Sequence, residues 1–372
     1  MEISCQSILT VHMGSRDSLH NNNTLIQFSR FYSGIHGYVA VAICIWGTVA
    51  NLANVAVLTR RKMASPTNLI LTWLAVADVL TMLTCLPTNV HFYIQRDDQL
   101  PQLATRSVVW IRYFLFHANS TVACHTIAIW LTITLAIFRY VYINFPFAGA
   151  SFCNVRSAKI AIASVYASTL LLCIPNCLSV DIQEHCLNQT SVLLLDNSSL
   201  TDANRCDVVC EATFYSVRDR TGVLYEINHW IHAVFFKLLP CALLTILTCL
   251  LIKVMHDSHS RRLKLERLGQ HEESTATGEH NRTTAMLFTV VCLFLVTELP
   301  QGVLTLCSIF IDGFYEDVYL PLGDLLDFLA LLNNSINFVL YCTMSNKFRR
   351  TFVELFCDGS TCCRPDDDGG RL

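Results

Sequence analysis

Long apolar stretches alternate with shorter polar segments along most of this chain. A helix needs about 20 apolar residues to cross a membrane, and seven stretches are long enough. They cover 34–59, 68–94, 108–142, 158–180, 224–255, 282–311 and 319–343. The pattern predicts an all-α fold built as a bundle of seven transmembrane helices.

Charges at the ends of the stretches indicate the orientation of the bundle. Arg60, Arg61 and Lys62 follow the first stretch, and basic clusters mark cytoplasmic ends of spans. Arg139 ends the third stretch with no acid beside it, which suits a membrane boundary where its head reaches water. We therefore expect an extracellular N-terminus and a cytoplasmic C-terminus. The predicted parts are an extracellular tail (1–33), a seven-transmembrane domain (34–343) and a cytoplasmic tail (358–372).

Three polar segments agree with this orientation. Residues 181–224 form a long acidic segment, as expected for an extracellular loop, and residues 256–281 begin with basic residues, as expected for a cytoplasmic loop. In 344–357, Phe348 and Phe352 recur at helical spacing opposite basic side chains. This last segment predicts an amphipathic helix at the membrane interface.

Composition supports a membrane protein, because 53% of the 372 residues are hydrophobic and only 15% are charged. Globular domains average about 25% charged residues. The net charge of −3 comes with no basic block, so we expect no nucleic-acid partner. We find no metal-binding spacing, no nucleophile with a base and no phosphate loop, and therefore expect no metal, no cofactor and no enzymatic activity. A channel or transporter would show a polar stripe on several helices or paired halves, and we see neither.

Two kinds of covalent modification are expected on the predicted polar segments. Glycosylation sequons lie in the tail and the acidic loop, at Asn22, Asn188 and Asn197. Cysteines that follow the amphipathic helix are candidates for palmitoylation: Cys357, Cys362 and Cys363. Chance sequons and unmodified cytosolic thiols are the alternatives.

Several motifs, in their joint order and spacing, resemble those of the rhodopsin-like G-protein-coupled receptors over about residues 34–357. The matching positions are Asn51, Leu74-Ala75-Val76-Ala77-Asp78, Phe138-Arg139-Tyr140, Pro240, Pro300 and Asn337 to Tyr341. More narrowly, Thr297 to Gly302 and Asn334 to Tyr341 are similar to the invertebrate neuropeptide receptors of the myosuppressin and FMRFamide-like group.

The resemblance implies a plasma-membrane receptor for an extracellular peptide, namely an amidated FMRFamide-like or myosuppressin-like neuropeptide. Its other partners would be the lipid bilayer and a heterotrimeric G protein, of the inhibitory class. A chemosensory receptor for small molecules is the alternative. The positions that the resemblance assigns to G-protein coupling are Arg139, Tyr140, Arg282 and Tyr341. Since Phe138 replaces the acid that restrains this arginine in the family, we expect weaker electrostatic restraint of the inactive state, unless His280 or the backbone compensates. An arginine that only reaches water at the membrane boundary is the alternative.

Glu298 occupies the position where the family has a tryptophan below the ligand. It lies roughly 24 Å along the helix from Arg282, at about 1.5 Å per residue, and a carboxylate at that depth needs a partner. The family fold places His125 opposite it. We expect a Glu298–His125 pair that closes the pocket or receives a basic ligand group, with Thr121 and Gln301 as further ligand-binding candidates. A purely structural hydrogen bond is the alternative.

Asp324 and Asp327 are three residues apart and therefore share a helical face near the outer membrane edge. A cationic group, such as an arginine near the amidated end of a peptide, would be attracted to them. Solvated acids at the pocket rim are the alternative.

An interior polar network is expected from Asn51, Asp78, Asn333 and Asn337. Such a network can hold sodium in the family, but Ala128 replaces the family's serine here, so we do not predict the ion. A purely structural network is the alternative.

The disulfide pattern departs from that of the family. The position of the usual third-helix cysteine lies near Phe114, so the usual bridge to the outer loop is not expected. We expect a bridge within the loop instead, from Cys186 to Cys206 or Cys210.

Overall fold

The structure, a computed structural model, describes residues 24–97, 100, 103–145, 149, 151–187, 212–219, 222–267, 289, 292–293, 295–308, 310–311 and 313–356. Helices account for most of these residues. We number the helices that correspond to the seven apolar stretches α1 to α7, and the helix after them α8.

The first four helices have the following bounds. Helix α1 covers Thr24–Leu58, α2 covers Pro66–Asn89 and continues as a π-helical turn over Val90–Ile94, and α3 covers Val108–Asn144. Helix α4 covers Val155–Leu172 and is extended by a short helix over Ile174–Leu178.

The remaining helices are more often interrupted by other helical geometries. Helix α5 comprises Val223–Ile231, a π-helical segment over His232–Leu238, and Leu239–Arg267. Helix α6 is described over 295–308. Helix α7 comprises a π-helical turn over Tyr315–Tyr319, a 3-10 turn over Leu320–Leu322 and Gly323–Met344, and α8 covers Asn346–Phe356.

The arrangement agrees with a seven-helix membrane bundle. Among the described residues six helices (α1 to α5 and α7) are long and apolar enough to cross a membrane; the described part of α6 is shorter. Helix α1 packs on α2 and α7, and α3 packs on α2, α4 and α5. Large apolar side chains such as Trp46, Phe116 and Ile246 point outward, as expected for helices in hydrocarbon.

Local signals in the sequence explain where helices begin. At the start of α2, Ser65 Oγ accepts a hydrogen bond from the backbone N–H of Asn68 at 3.1 Å, and Pro66 occupies the first helical turn. Both features are favourable at a helix N-terminus, where backbone N–H groups lack helical partners.

Helix α1 begins at Thr24, before the predicted start at Gly34, so residues 24–33 of the predicted tail are helical. Aromatic packing explains the difference. The ring of Tyr32 lies 5.7 Å from that of His36, which lies 4.9 Å from that of Tyr93 on α2. Hydropathy misses this first part of α1 because its sequence is not an apolar run, whereas Tyr32 packs on His36 and His36 in turn packs on α2.

The segment predicted as a long outer loop contains a β-hairpin. Strands β1 (Val180–Leu187) and β2 (Ala212–Asp219) pair antiparallel, with Val180 opposite Asp219 and Leu187 opposite Ala212. The all-α prediction is correct for the bundle but misses this hairpin. The reason is that a tight turn is the main sequence signal of a hairpin, and here residues 188–211 separate the strands.

The hairpin is attached to α3 by contacts that we call the hairpin clamp: Phe92, Thr105, Phe114, Tyr215 and Val217. The backbones of Thr105 and Tyr215 exchange two hydrogen bonds, of 3.2 and 2.7 Å. Phe114 is fully buried in one apolar cluster with Phe92 and Val217. Since Phe114 stands near the position of the family's third-helix cysteine, packing and backbone hydrogen bonds hold this hairpin where a covalent bridge is usual.

Replacing Phe114 by alanine tests the clamp. Removing a fully buried aromatic ring costs about 3–5 kcal/mol of stability, so we expect Phe114→Ala to lower the thermal unfolding midpoint of the detergent-solubilised receptor clearly. Phe116→Ala is the matched control, because Phe116 lies on the same helix with 58% of its surface exposed. Equal midpoints for the two variants would contradict a stabilising clamp.

Helix α8 lies within the predicted amphipathic segment 344–357 and packs on the end of α7. Phe348 is buried, and its ring lies 5.6 Å from that of Tyr341 and 6.1 Å from that of Phe338. Arg349 and Arg350 are exposed. The location of α8 at a membrane interface stays a prediction.

Candidate functional site

Four polar side chains from three helices meet inside the bundle, and we call them the polar cluster: His125 on α3, Lys237 on α5, and Glu298 and Gln301 on α6. Lys237 belongs to the π-helical segment of α5, a local widening that often occurs at functional sites. Lys237 is 4% exposed and Glu298 is 1% exposed. Two ionisable side chains this deeply buried require partners of opposite charge.

The distances show how the polar cluster satisfies this requirement. Glu298 Oε2 lies 3.0 Å from His125 Nε2 and 3.5 Å from Lys237 Nζ. Lys237 Nζ also donates a hydrogen bond to Gln301 Oε1 at 2.9 Å. Among the described residues, no group hydrogen-bonds the second carboxylate oxygen, Glu298 Oε1, although it is buried. The structure therefore brings Glu298 and His125 together as expected, and it adds Lys237 as a counter-ion.

A small cavity adjoins the polar cluster. Three of the ligand-binding candidates, Thr121, His125 and Gln301, line it together with Lys237. Its other lining residues are Thr81, Val122, Thr126, Phe236, Ala330, Leu331 and Asn334. Glu298 contacts two of the lining side chains, His125 and Lys237, so one wall of the cavity is polar and charge-compensated. Apolar side chains and uncharged polar side chains share the rest of the lining.

The two acids of α7, which we call the acid pair, lie close to aromatic side chains of α1 and α2. Asp324 Oδ1 accepts a hydrogen bond from Tyr93 Oη at 2.9 Å, and Asp327 is 7% exposed. Asp327 is thus buried rather than solvated at a rim. The acid pair provides negative charge in a partly dehydrated setting, where a cation is bound more strongly than in water.

The interior polar network forms in part as expected. Asn337 Nδ2 donates to Asp78 Oδ2 at 3.1 Å, and Asn51 Nδ2 donates to the backbone carbonyl of Asn334 at 2.8 Å. Asn333 is buried as well, but the contact with Asn51 comes from its neighbour Asn334. A carbonyl can accept this bond whatever its side chain, so residue identity did not reveal which of the two residues takes part.

The structure describes part of the surroundings of Arg139, and weaker restraint of the inactive state stays a prediction. Phe138 is buried and its ring lies 6.0 Å from that of Phe152. In the part of the chain that the structure describes, no group hydrogen-bonds Arg139 Nε, although this atom is buried. Tyr140 packs against the apolar cluster between α3 and α5, and Tyr341 is buried beneath Phe348.

Several predicted sites lie outside the described residues and stay predictions: Asn22, Asn188, Asn197, Cys206, Cys210, Arg282, Cys357, Cys362 and Cys363. Cys186 lies in β1 opposite Thr213, but its predicted partners belong to this group. Among the described residues no cluster of histidine, cysteine and acidic side chains could hold a metal ion.

Sequence reasoning missed Lys237, although a signal was present. Lys237 is a charged residue within the apolar stretch 224–255, and such a residue inside a membrane span usually faces a partner or a functional cavity. The acid in the neighbouring stretch, Glu298, was the natural candidate partner. Only the geometry reveals that both side chains point to the same place.

Comparisons with known proteins agree with this architecture. Residues 38–359 match the family model described as serpentine type 7TM GPCR chemoreceptor Srw. The chain is 28% identical to the G-protein coupled receptor dmsr-1 of Caenorhabditis elegans over 390 residues, covering 95% of this chain and 74% of that protein. It is 30% identical to the sex peptide receptor of Drosophila melanogaster over 329 residues, covering 87% and 72%.

A more distant match is the FMRFamide receptor of Drosophila melanogaster, 23% identical over 344 residues, covering 90% of this chain and 56% of that protein. The family match extends over most of the chain, from the middle of α1 to beyond α8. The chain therefore belongs to the serpentine seven-transmembrane G-protein-coupled receptors.

Removing one charge of the buried pair tests its energetic role. Loss of one partner from a buried ion pair costs about 3–5 kcal/mol, because the other charge stays buried without compensation. We expect Lys237→Met to lower the thermal unfolding midpoint of the solubilised receptor, and Lys237→Met combined with Glu298→Gln to recover part of the loss. Lys253→Met is the control, since Lys253 is exposed on the same helix. A double variant less stable than the single one would contradict coupling of the two charges.

Proposed function

We propose that this receptor binds an extracellular, amidated neuropeptide of the FMRFamide or myosuppressin type. It does so at the plasma membrane, with its N-terminus outside and its C-terminus in the cytosol. The observation that carries the proposal is the presence, in one bundle, of an acid pair, half-buried at Asp324 and buried at Asp327, and of a cavity with a polar, charge-compensated wall. The first suits a cationic peptide side chain and the second suits an uncharged polar peptide terminus.

The acid pair supports a ligand with an arginine near its amidated end. Two carboxylates match the planar guanidinium group of arginine, which forms charge-assisted hydrogen bonds with them. The rings of Tyr32 and Tyr93 are close to the acid pair, and aromatic faces attract a guanidinium as well. The names of two relatives, a sex peptide receptor and an FMRFamide receptor, support a peptide ligand independently of these contacts.

The opposite end of the bundle supports coupling to a heterotrimeric G protein, for which we propose the inhibitory class. Arg139 and Tyr140 lie near the end of α3, and α5 continues to Arg267, well past the predicted end of its apolar stretch at 255. A basic helical extension beside an arginine without a local acid offers positive charge to an acidic partner helix.

Changing Asp327 tests recognition of the peptide. In cells that express the receptor and a G-protein activation reporter, we expect Phe-Met-Arg-Phe-amide or a related amidated peptide to activate the wild type. Asp327→Asn should lower the potency of the arginine peptide by about tenfold or more, since a charge-assisted hydrogen bond contributes about 1.5–3 kcal/mol. It should change the potency of the same peptide with citrulline in place of arginine far less.

Glu316→Gln is the matched control for this test, because Glu316 is an exposed acid near the start of α7. Potencies are compared at equal amounts of receptor on the cell surface. If Asp327→Asn still distinguishes arginine from citrulline as the wild type does, the acid pair does not bind the arginine.

A small-molecule chemoreceptor is the second candidate, because the matching family model is described as chemoreceptors. The small cavity beside the polar cluster combines apolar and polar lining residues, as small-ligand sites do. Failure of all amidated peptides, combined with activation by a small molecule that depends on Lys237 or Glu298, would favour this reading.

Restoring an acid beside Arg139 tests the restraint of the inactive state. A carboxylate in Phe138→Asp would pair with the arginine, so we expect this variant to signal less without ligand than the wild type does. Phe138→Ala removes the same buried ring without adding an acid and therefore serves as the control. Basal G-protein activation is measured per receptor at the surface. Equal basal activity of the Asp and Ala variants would show that this electrostatic restraint has no effect.

A further inference from the structure

The charges of the polar cluster influence which kind of peptide terminus the cavity accepts. This inference rests on the proposed function. We propose that Glu298 makes the receptor select a neutral carboxamide terminus over a free carboxylate. It does so in two ways: it neutralises the cation of the cavity wall, and it provides a buried acceptor for an N–H donor.

Lys237 is the source of positive charge in the cavity wall, and Glu298 compensates this charge. Among the described residues that line the cavity, Lys237 is the one permanently cationic side chain at neutral pH. Its Nζ lies 3.5 Å from Glu298 Oε2, so its charge is compensated inside the protein. A ligand carboxylate that enters the cavity would lose its hydration, find no uncompensated cation there, and lie near the negative charge of Glu298. Burying an anion in this way is strongly unfavourable.

A carboxamide and a carboxylate differ in the hydrogen bonds that they can form with Glu298. A carboxamide has both an N–H₂ donor and a carbonyl acceptor, whereas a carboxylate only accepts. Glu298 Oε1 is buried without a hydrogen-bond partner among the described residues, and it can accept only from a donor. A carboxamide N–H₂ group that reaches this oxygen meets the requirement, and a carboxylate cannot.

Lys237 orients the side-chain amide of Gln301. A lysine ammonium only donates hydrogen bonds, so its 2.9 Å contact holds the Gln301 oxygen toward Lys237. The N–H₂ group of Gln301 therefore points away from Lys237, on a residue that lines the cavity. This places a donor in the cavity wall for the carbonyl of a carboxamide. Lys237 thus acts on the ligand through Gln301 as well as through its own charge.

The proposal predicts that selectivity changes when Glu298 loses its charge. In Glu298→Gln the ammonium of Lys237 lacks its counter-ion, and an entering carboxylate can take that place. The potency of a free-acid peptide should then rise while that of the amidated peptide stays the same or falls.

The experiment uses Phe-Met-Arg-Phe-amide, its free acid and its methyl ester on cells that report G-protein activation. For the wild type we expect the acid to be at least about tenfold weaker than the amide. In Glu298→Gln this amide-to-acid ratio should fall by about tenfold or more, which corresponds to about 1.4 kcal/mol. The double variant Lys237→Met with Glu298→Gln should not gain response to the acid, because it lacks the cation. Glu316→Gln, which removes an exposed acid elsewhere, should keep the wild-type ratio.

Two results overturn the inference. One is an unchanged amide-to-acid potency ratio in Glu298→Gln when a normal amount of this receptor is on the cell surface. The other is equal potency of the acid and the amide on the wild type. If Glu298→Gln fails to reach the surface, the methyl ester on the wild type decides instead. It is neutral but has no N–H donor, so we expect its potency to lie between those of the amide and the acid. A methyl ester as weak as the acid overturns the exclusion of the acid by charge, and one as potent as the amide overturns the requirement for an N–H donor. A wild type that responds to no amidated peptide overturns the proposed function itself.

Discussion

The ion pair between Lys237 and Glu298 is the contact on which the interior of this bundle depends. In a medium of low dielectric constant, neither charge can be buried alone without a large penalty, so the two residues must remain together. Through His125 and Gln301 the same pair joins α3, α5 and α6. If α6 moves relative to α3 and α5, His125 and Lys237 must therefore move with Glu298. Otherwise the movement separates buried charges, which is unfavourable.

The two ends of the bundle differ in how their charged side chains are paired. Inside the bundle, negative charge is either compensated, as at Glu298, or kept near aromatic rings, as at Asp324 and Asp327. At the other end, the Nε of Arg139 is buried without a hydrogen-bond partner among the described residues. The polar cluster is thus held by electrostatic pairing, whereas the described surroundings of Phe138, next to Arg139, are mainly apolar.

The helices could be predicted from the sequence, because apolar length alone defines membrane spans. The contact of Glu298 with His125 followed from the resemblance together with the requirement that a buried carboxylate has a partner. Lys237 escaped notice because a single lysine hardly changes the hydropathy of its stretch, and its orientation depends on the π-helical segment. The β-hairpin and the early start of α1 were missed because both depend on contacts between distant residues. Hydropathy measures the affinity of a segment for lipid and carries no information about such partners.

The described contacts between the hairpin and α3 are non-covalent, and this has a consequence for local stability. A covalent bridge would tie the hairpin to α3 permanently, whereas two backbone hydrogen bonds and the apolar cluster around Phe114 can open reversibly. The free energy of local opening at this point is thus set by Thr105, Phe114 and Val217.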